Sequence, residues 1–212
     1  MMADKGTTLY RISRVFLAAL FTLYNRWEVS GREHVPRAGG VLLIANHTSY
    51  ADPPIVGTAS PRPVNFMAKA ELFHIPFLSW FIRHSHAFPV QRGKTDSGAL
   101  RRAVRLLKQG KVLLVFPEGT RSHDGRLKEF EMGAAFVALS AHAQVVPVGI
   151  DGADRLLPPG VPFLFPGKLR VRFGPTLDLA KLWERRRSRD ALQQAADEMA
   201  AALRALLPSD RR

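Results

Sequence analysis

Short apolar segments rich in β-branched residues alternate along the chain with segments whose apolar residues recur at helical spacing. The apolar segments predict strands at residues 40–45, 64–68, 87–90, 112–116, 144–150 and 169–173. Strands that alternate with helices are typical of an α/β fold with a largely parallel or mixed central sheet covered by helices. Residues 112–116 are apolar throughout, which indicates a central strand covered on both faces.

Three segments have the apolar spacing of helices. The first contains Leu100, Ala103, Val104 and Leu107, behind a Thr95-Asp96-Ser97 start and ahead of Gly110. The second covers residues 133–142, and the third runs through residues 192–206 and ends at Pro208. The remaining residues, 209–212, are predicted to form a loose tail.

The first 27 residues carry an apolar segment, 15–23, that only Thr22 interrupts. It is too short to cross a bilayer by itself, which takes about 20 apolar residues. Basic and aromatic residues flank it, namely Arg11, Arg14, Arg26, Tyr10, Tyr24 and Trp27. Such borders suit the lipid headgroup layer, so we predict a helix over 8–27 in the membrane interface and one domain over 28–208. The alternative is an ordinary terminal helix docked on the domain.

Composition narrows the classes of site and partner. None of the 212 residues is cysteine, which excludes disulfide scaffolds, thiolate zinc sites, iron–sulfur clusters and cysteine nucleophiles. The 31 Lys and Arg residues outnumber the 18 Asp and Glu residues, giving a net charge of +13. This surplus favours an anionic partner: nucleic acid, an acidic membrane leaflet, a phosphorylated substrate or an acidic carrier protein.

A polar loop, Asn46-His47-Thr48-Ser49-Tyr50-Ala51-Asp52, directly follows the first predicted strand. Ligands of α/β sheets bind at the carboxyl ends of strands, and a histidine there can remove a proton at neutral pH. Asp52 could hold the His47 imidazole, as the orienting acid of a triad does. Alternatively, Asp52 ahead of Pro53 is a helix N-cap and His47 is a surface residue. A carboxylate has two oxygens, so capping and orienting are compatible.

A second polar loop, Phe116-Pro117-Glu118-Gly119-Thr120-Arg121-Ser122, follows the all-apolar strand. Gly119 allows close backbone approach, and successive amides of a tight turn can bind an anion. Arg121 adds a planar fork that matches phosphate geometry. Alternatively, Glu118 and Arg121 form a plain local ion pair on an ordinary turn.

These two loops, in this order, resemble the motifs of the 1-acylglycerol-3-phosphate acyltransferase (lysophosphatidic acid acyltransferase) family. His47 and Asp52 match its histidine–four residues–aspartate motif, and residues 116–122 match its phosphate-binding motif without a gap. Residues 87–92 resemble the motif between them, which ends in Arg92, and residues 146–148 resemble the fourth. Lys69 lies in a segment similar to the family's lysine-bearing one. The resemblance covers about residues 28–178.

The chain departs from the family pattern at two positions. His86 stands where the second motif usually begins with glycine, and Gln91 replaces a common acidic residue. Both departures concern the acceptor pocket and leave the reaction class unchanged.

The resemblance implies direct transfer of an acyl group from a thioester donor, acyl-CoA or acyl-carrier protein, to the free hydroxyl of 1-acylglycerol 3-phosphate, giving phosphatidic acid. His47, held by Asp52, would deprotonate that hydroxyl. The acceptor phosphate would be bound in a pocket formed by Lys69, Arg92, Glu118, Gly119, Thr120 and Arg121. The donor brings its own activated bond, so no metal or other cofactor is expected. A lysophospholipid acceptor and an anionic membrane surface would place the protein peripherally or monotopically on the cytoplasmic face of the cell membrane.

Other functions are compatible with parts of the sequence. A relative could acylate glycerol 3-phosphate or another lysolipid such as a lyso-aminolipid. A non-enzymatic basic module that binds membrane or nucleic acid would leave both polar loops unexplained, and nucleic acid is not an expected partner. Gly93-Lys94-Thr95 resembles the last three residues of a P-loop motif, but Phe88 stands where that motif requires its first glycine. His84 and His86 lack a nearby carboxylate, so a metal site is not expected there.

Two apolar segments remain open to more than one interpretation. One set could line an acyl channel or form ordinary core, namely Phe66, Met67, Phe73, Phe77, Leu78, Trp80 and Phe81. The loop 161–165 could dip into lipid or pack beneath the sheet.

Overall fold

The computed structural model describes residues 5–91, 96–122, 124–158, 161 and 163–211. The strands in these ranges are β1 (Arg26–Ser30), β2 (Val41–Ala45), β3 (Val64–Lys69), β4 (Ala87–Val90), β5 (Val112–Val115), β6 (Gln144–Asp151) and β7 (Lys168–Phe173). The helices are α1 (Lys5–Tyr24), α2 (Asp52–Ala59), α3 (Pro76–His84), α4 (Ser97–Lys108), α5 (Met132–Ala141), α6 (Ala153–Leu156) and α7 (Arg189–Leu206). Short 3-10 turns lie at Arg32–His34, Ala70–His74, Ala180–Leu182 and Ser209–Arg211.

The strands form one mixed sheet in the order β1-β7-β6-β2-β5-β3-β4. All neighbouring pairs are parallel except β6 and β7, which are antiparallel. Strand β2 lies between β5 and β6, and all five of its residues are buried. The predicted α/β class is therefore confirmed, and the carboxyl ends of β2, β5 and β6 share one edge of the sheet.

Helices cover both faces of the sheet. Alternate residues of β2 point to opposite faces, so Leu43 joins the core formed with α1 and α2, while Leu42 joins the core formed with α4, α5 and α7. The three helices on the second face contribute small side chains such as Ala103, Ala135 and Ala195, which let them lie close to the sheet. This double cover explains why β2 and β5 read as continuous apolar runs.

Helix α1 ends earlier than predicted. It covers Lys5–Tyr24 rather than 8–27. Trp27 lies in β1, where it pairs with Leu169 of β7. The side chain of Asn25 donates to the Phe165 carbonyl at 3.0 Å and the Arg26 amide donates to the Gly167 carbonyl at 2.9 Å, so the chain turns into the sheet there. The domain boundary predicted after residue 27 consequently falls inside a strand.

One side of α1 is attached to the domain. The buried Tyr10 hydroxyl donates to the Gly57 carbonyl at 3.2 Å and accepts from the Val64 amide at 3.1 Å. Arg14 donates to the Ser60 carbonyl at 2.6 Å. The other side exposes large apolar residues, namely Ile12, Val15, Phe16 and Leu23. Within the described ranges, no helix has the length and apolarity needed to cross a membrane.

His86, where glycine is usual in the similar family, adopts a left-handed backbone conformation with φ of 63°. Histidine is among the residues that tolerate this region better than most non-glycine residues. Its ring stacks on Tyr10, with centroids 4.9 Å apart and planes 5° from parallel. A side chain at this position therefore packs against α1.

The prediction of a loose tail was wrong for Ser209–Arg211, which form a 3-10 turn. The Arg211 side chain is buried because its guanidinium donates to both Asp154 carboxylate oxygens, at 3.0 and 2.9 Å. Residue 212 lies outside the described residues.

Candidate active site

The two polar loops meet at the carboxyl edge of the sheet because β2 and β5 are adjacent and parallel. Asn46 anchors the first loop: its Nδ2 donates to the Ile150 carbonyl at 2.9 Å, and its Oδ1 accepts from the Ile150 amide at 2.8 Å. This pair of bonds ties the end of β2 to β6. His47 therefore starts from a fixed backbone position.

Asp52 holds the first loop closed. Its Oδ2 accepts hydrogen bonds from His47 Nδ1 at 2.8 Å, from the Thr48 amide at 2.7 Å and from the Ser49 amide at 2.8 Å. Asp52 is fully buried and His47 is only 4% exposed, so the interpretation of His47 as a surface residue was wrong. A carboxylate acceptor fixes the proton of neutral His47 on Nδ1, which leaves the Nε2 lone pair free to accept a proton.

The burial of the His47–Asp52 pair affects the ionisation of the Asp52 carboxyl. Burial raises the pKa of the Asp52 carboxyl above its ordinary value, because the charged form loses water. The hydrogen bond and charge of His47 and the two backbone amides oppose that rise. The arrangement matches a base with its orienting acid.

Glu118 connects the second loop to the first. Its Oε1 accepts from the His47 amide at 2.8 Å, and its Oε2 accepts from the Lys128 amide at 3.0 Å. Both oxygens thus bind backbone, and the ion pair with Arg121 that the sequence allowed is not formed between these two described residues. Burial raises the pKa of the Glu118 carboxyl, against the two amide hydrogen bonds. Glu118 therefore shapes the loop through these two backbone contacts.

Phe116 and Ser122 complete the contact between the loops. The Phe116 ring stacks on His47 with centroids 4.0 Å apart, and the Ser122 amide donates to the His47 carbonyl at 2.7 Å. Gly119 turns the loop with a left-handed φ of 69°, which favours glycine, and the Glu131 carboxylate lies against it. The second loop thus packs against His47 through Phe116 and Ser122.

A cleft of about 810 Å³ opens beside this loop. Its apolar wall comes from Met67, Leu100, Leu114, Phe136, Val137 and Leu192, and its charged lining from Asp96, Arg101 and Glu131. His47 is not among the residues that line the cleft, whereas Phe116 lines it and also stacks on His47. Of the side chains considered for an acyl channel and described in the structure, Met67 lines the cleft, whereas Phe66 and Phe73 are buried.

The predicted phosphate-binding residues are only partly brought together. Arg121 lies over the Tyr50 ring, with Cζ 3.6 Å from the centroid, which places it beside the His47 loop. Lys69 ends β3 and pairs with Glu71 at 3.3 Å on the surface. Arg92, like the Gly93-Lys94-Thr95 segment, falls outside the described residues.

Lys128 is a further cation that the sequence motifs do not indicate. Its Nζ donates to the Arg121 carbonyl at 2.9 Å and lies 3.5 Å from the Thr120 hydroxyl oxygen. Its position depends on how the loop folds back over ten residues to reach Glu118, which no local pattern reports. The sequence signal for Lys128 is limited to its being a basic residue in the loop that follows an anion-binding motif.

No group of three or more histidine, aspartate or glutamate side chains is arranged to hold a metal ion in the described part of the chain. His84 Nδ1 donates to the Trp80 carbonyl at 2.7 Å, and His86 stacks on Tyr10. The two histidines of this segment are thus used in local packing.

The chain is similar to known acyltransferases. The Acyltransferase family matches residues 26–151. A 1-acyl-sn-glycerol-3-phosphate acyltransferase of Bacillus subtilis is 29% identical over 174 residues, 81% of this chain and 84% of the relative. A lyso-ornithine lipid O-acyltransferase of Pseudomonas aeruginosa is 33% identical over 150 residues, 70% of this chain and 57% of the relative. The crystal structure of the 1-acyl-sn-glycerophosphate acyltransferase PlsC from Thermotoga maritima superimposes with a TM-score of 0.76 at 30% identity, covering 97% of this chain and 83% of that one.

Replacing Glu118 by glutamine tests whether its carboxylate joins the two loops. Glutamine offers one carbonyl oxygen, so either the His47 amide or the Lys128 amide loses its acceptor in a buried site. We expect Glu118→Gln to lower the free energy of unfolding by about 1–3 kcal/mol in denaturant titrations. Glu129→Gln, at an exposed position of the same segment, should change it little. Equal stability of the two variants would contradict the bridging role.

Proposed function

The chain belongs to the Acyltransferase family, and on that premise we propose that it moves a fatty acyl group from a thioester donor to the free hydroxyl of 1-acylglycerol 3-phosphate, giving phosphatidic acid. The observation that carries this proposal is the buried His47–Asp52 pair, 2.8 Å apart, beside a loop that presents Arg121. The similarity to two 1-acylglycerol-phosphate acyltransferases supports it.

The base of the reaction is His47. Asp52 holds the Nδ1–H, so Nε2 accepts the proton of the acceptor hydroxyl as its oxygen attacks the thioester carbonyl carbon. The new C–O bond forms, the C–S bond breaks, and the leaving thiolate takes the proton from His47. Deprotonation in the transition state is needed because a neutral hydroxyl is a poor nucleophile. The reaction requires no metal or other cofactor.

The acceptor phosphate is bound by cations next to His47. Arg121 offers a planar fork, and Lys128 is held against the backbone of the same loop. Lys69 is half exposed and its ion pair with Glu71 is on the surface, so exchange of that carboxylate for a phosphate would lose little. Arg92, placed by its motif, would complete the set. Binding the phosphate positions the hydroxyl against the donor, which can supply several kcal/mol of the barrier.

The cleft fits an acyl chain, and its rim fits an anionic donor. The wall of the cleft is apolar, while Arg101 of α4 lies at its border. Three further residues of α4, Arg102, Arg105 and Lys108, are exposed, and the helix has no acidic residue. Acyl-CoA and acyl-carrier protein are both anionic, so either can be attracted to this side.

A second acceptor is favoured by a separate observation. The Pseudomonas aeruginosa relative is named for a lyso-ornithine lipid, and this name includes no phosphate group. In this chain the exposed Glu131 carboxylate lines the cleft beside Gly119, and it could attract a cationic headgroup. A lyso-aminolipid is therefore the alternative acceptor.

The protein is proposed to lie on the cytoplasmic face of the cell membrane through α1. Val15, Phe16 and Leu23 are 72%, 66% and 87% exposed, which is unusual for large apolar side chains on one helix. Phe163, 70% exposed, lies in the loop that α1 contacts where the Tyr24 hydroxyl donates to the Leu164 carbonyl at 3.2 Å. The basic charge adds attraction to the anionic lipid of that leaflet.

Removal of the base should nearly abolish transfer. Because His47→Ala also takes one donor from the buried Asp52, its fold is checked by circular dichroism before activities are compared. We expect His47→Ala to lower kcat by about 100- to 10,000-fold. Asp52→Asn should retain an activity between His47→Ala and the wild type, since it spoils the orientation of the ring and keeps the base. Steady-state acylation assays measure the activities of both variants, and the same assays with EDTA test for a metal. His74→Ala, which changes an exposed histidine, is the control. Near-wild-type turnover of His47→Ala, or reversible inhibition by EDTA, would refute the mechanism.

Loss of a cation should weaken the use of phosphorylated acceptors selectively. Arg121→Ala and Arg92→Ala should raise KM for 1-acylglycerol 3-phosphate by about 10- to 150-fold, the equivalent of one charge-assisted hydrogen bond. A phosphate-free lysolipid should be a poor acceptor that the substitutions barely change. Arg126→Ala, exposed in the same loop, is the matched control. Equal losses on both acceptors would make the arginines structural, and preferred use of the lyso-aminolipid would support the second acceptor.

Membrane binding should depend on the exposed side of α1. Deleting the helix would also remove Tyr10 and Phe21 from the core, so the sharper variant is Val15→Ser with Phe16→Ser and Leu23→Ser. We expect this variant to be released from anionic vesicles in high salt, where the wild type stays bound through its apolar contacts. The matched control keeps all three positions apolar, with Val15→Ile, Phe16→Leu and Leu23→Met, and should sediment like the wild type. Unchanged sedimentation of the serine variant would overturn the proposal.

A further inference from the structure

Arg211 forms a buried ionic contact behind the site. Its guanidinium donates to Asp154 Oδ1 at 3.0 Å and Oδ2 at 2.9 Å, and its Nε lies 3.9 Å from Asp151 Oδ1. The residue is 9% exposed. A buried arginine is tolerated only when its charge is paired and its donors are used, so the position of this side chain is strongly specified.

Asp154 and Asp151 connect Arg211 to the first loop of the site. Asp154 lies in α6, and Leu157, which follows α6, accepts a hydrogen bond from the Ser49 hydroxyl at 3.1 Å. Asp151 ends β6 directly after Ile150, the residue that Asn46 binds. Arg211 therefore contacts α6 and the end of β6, the two elements that bind the His47 loop.

The other side of Arg211 contacts the second loop. The Arg211 carbonyl accepts from the Leu127 amide at 3.4 Å, and the guanidinium faces Gly125, whose left-handed φ of 77° favours a residue without a side chain. The next residue after Leu127 is Lys128, whose amide binds Glu118 and whose amine binds the Arg121 carbonyl. Residues 125–128 thus join Arg211 to the cations proposed for the acceptor phosphate.

We propose that Arg211 is a positioning residue for phosphate recognition: it fixes residues 125–128 against α6 and so sets Arg121 and Lys128 relative to His47. The segment it fixes has no regular secondary structure, and its other contacts at 124–126 are local, such as the 2.7 Å bond from the Ser122 hydroxyl to Asp124. The planar fork of arginine binds both oxygens of Asp154 while its face lies against Gly125. The expected effect on KM rests on the proposed function, whereas the contacts of Arg211 with α6 and residues 125–128 do not depend on it.

The kinetic test compares Arg211→Ala and Arg211→Lys with the wild type on the phosphorylated acceptor. We expect Arg211→Ala to raise KM about tenfold with a smaller change in kcat, because the cations that bind ground state and transition state alike are displaced. Arg211→Lys keeps the charge without the fork and should recover part of that loss. Arg204→Ala, exposed in the last turn of α7, should leave KM unchanged. A folded Arg211→Ala variant with wild-type KM would reduce Arg211 to a stabilising residue and overturn the inference.

A second variant and a substrate-free measurement keep the test decisive. Should Arg211→Ala fail to fold, Asp154→Asn removes the same ion pair with its shape retained, and the same rise in KM is expected. Amide hydrogen exchange at Leu127 and Lys128 should be faster in either variant than in the wild type, and unchanged exchange would overturn the inference. If the wild type does not acylate the phosphorylated acceptor, the proposed function fails, while the exchange result still decides the positioning of residues 125–128.

Discussion

The site depends on one buried carboxylate. Asp52 Oδ2 accepts from the His47 ring and from two successive amides, and these three bonds close the turn between β2 and α2. Burial disfavours the ionised form of this carboxyl, and the three donors on Oδ2 offset part of that cost, while Oδ1 has no hydrogen-bond partner among the described residues. The direction of the His47 ring is a consequence of this closure, because its Nδ1 is one of the donors.

The second loop is shaped by the same constraint. Glu118 is also buried, and its two oxygens accept from the amides of His47 and Lys128. Its pKa is raised mainly by burial, with a smaller contribution from the charge of Asp52. Two carboxylates thus lie close together below the site, each bound by backbone amides, while the cations Arg121 and Lys128 lie on the outer side of the loop. An anion that approaches this loop would therefore meet the cations, while the acids are covered by backbone.

The sequence was sufficient for the parts of the fold and site that depend on local pattern. The apolar runs of β2 and β5 and the polar residues that follow them were predicted because burial on both faces and a loop at a strand end leave direct traces in composition. Strand β1 was not predicted. Its alternation of polar and apolar residues covers only five positions, two of which were assigned to the predicted helix over 8–27. Its pairing partner lies 142 residues away, as in the bond from Arg170 to Glu28. The inward direction of Glu118 and the buried turn at Arg211 are set by contacts between distant segments. No spacing rule reports such contacts.

Helix α2 links the base to the helix proposed to lie on lipid. Its first turn contains Asp52, and its last turns bind α1 through the Gly57 carbonyl and, just beyond, the Ser60 carbonyl. A side chain at position 57 would come within 2.8 Å of the Phe66 ring, so glycine here lets α2 pack closely against β3. Eight residues of helix span about 12 Å, which is short enough to pass the position of α1 to the Asp52 carboxylate as a rigid body. If α1 lies on lipid as proposed, an acceptor held at the interface would meet His47 at a distance set by one helix. The attachment of α1 through Tyr10 and Arg14 would then help to present the lipid hydroxyl to the base.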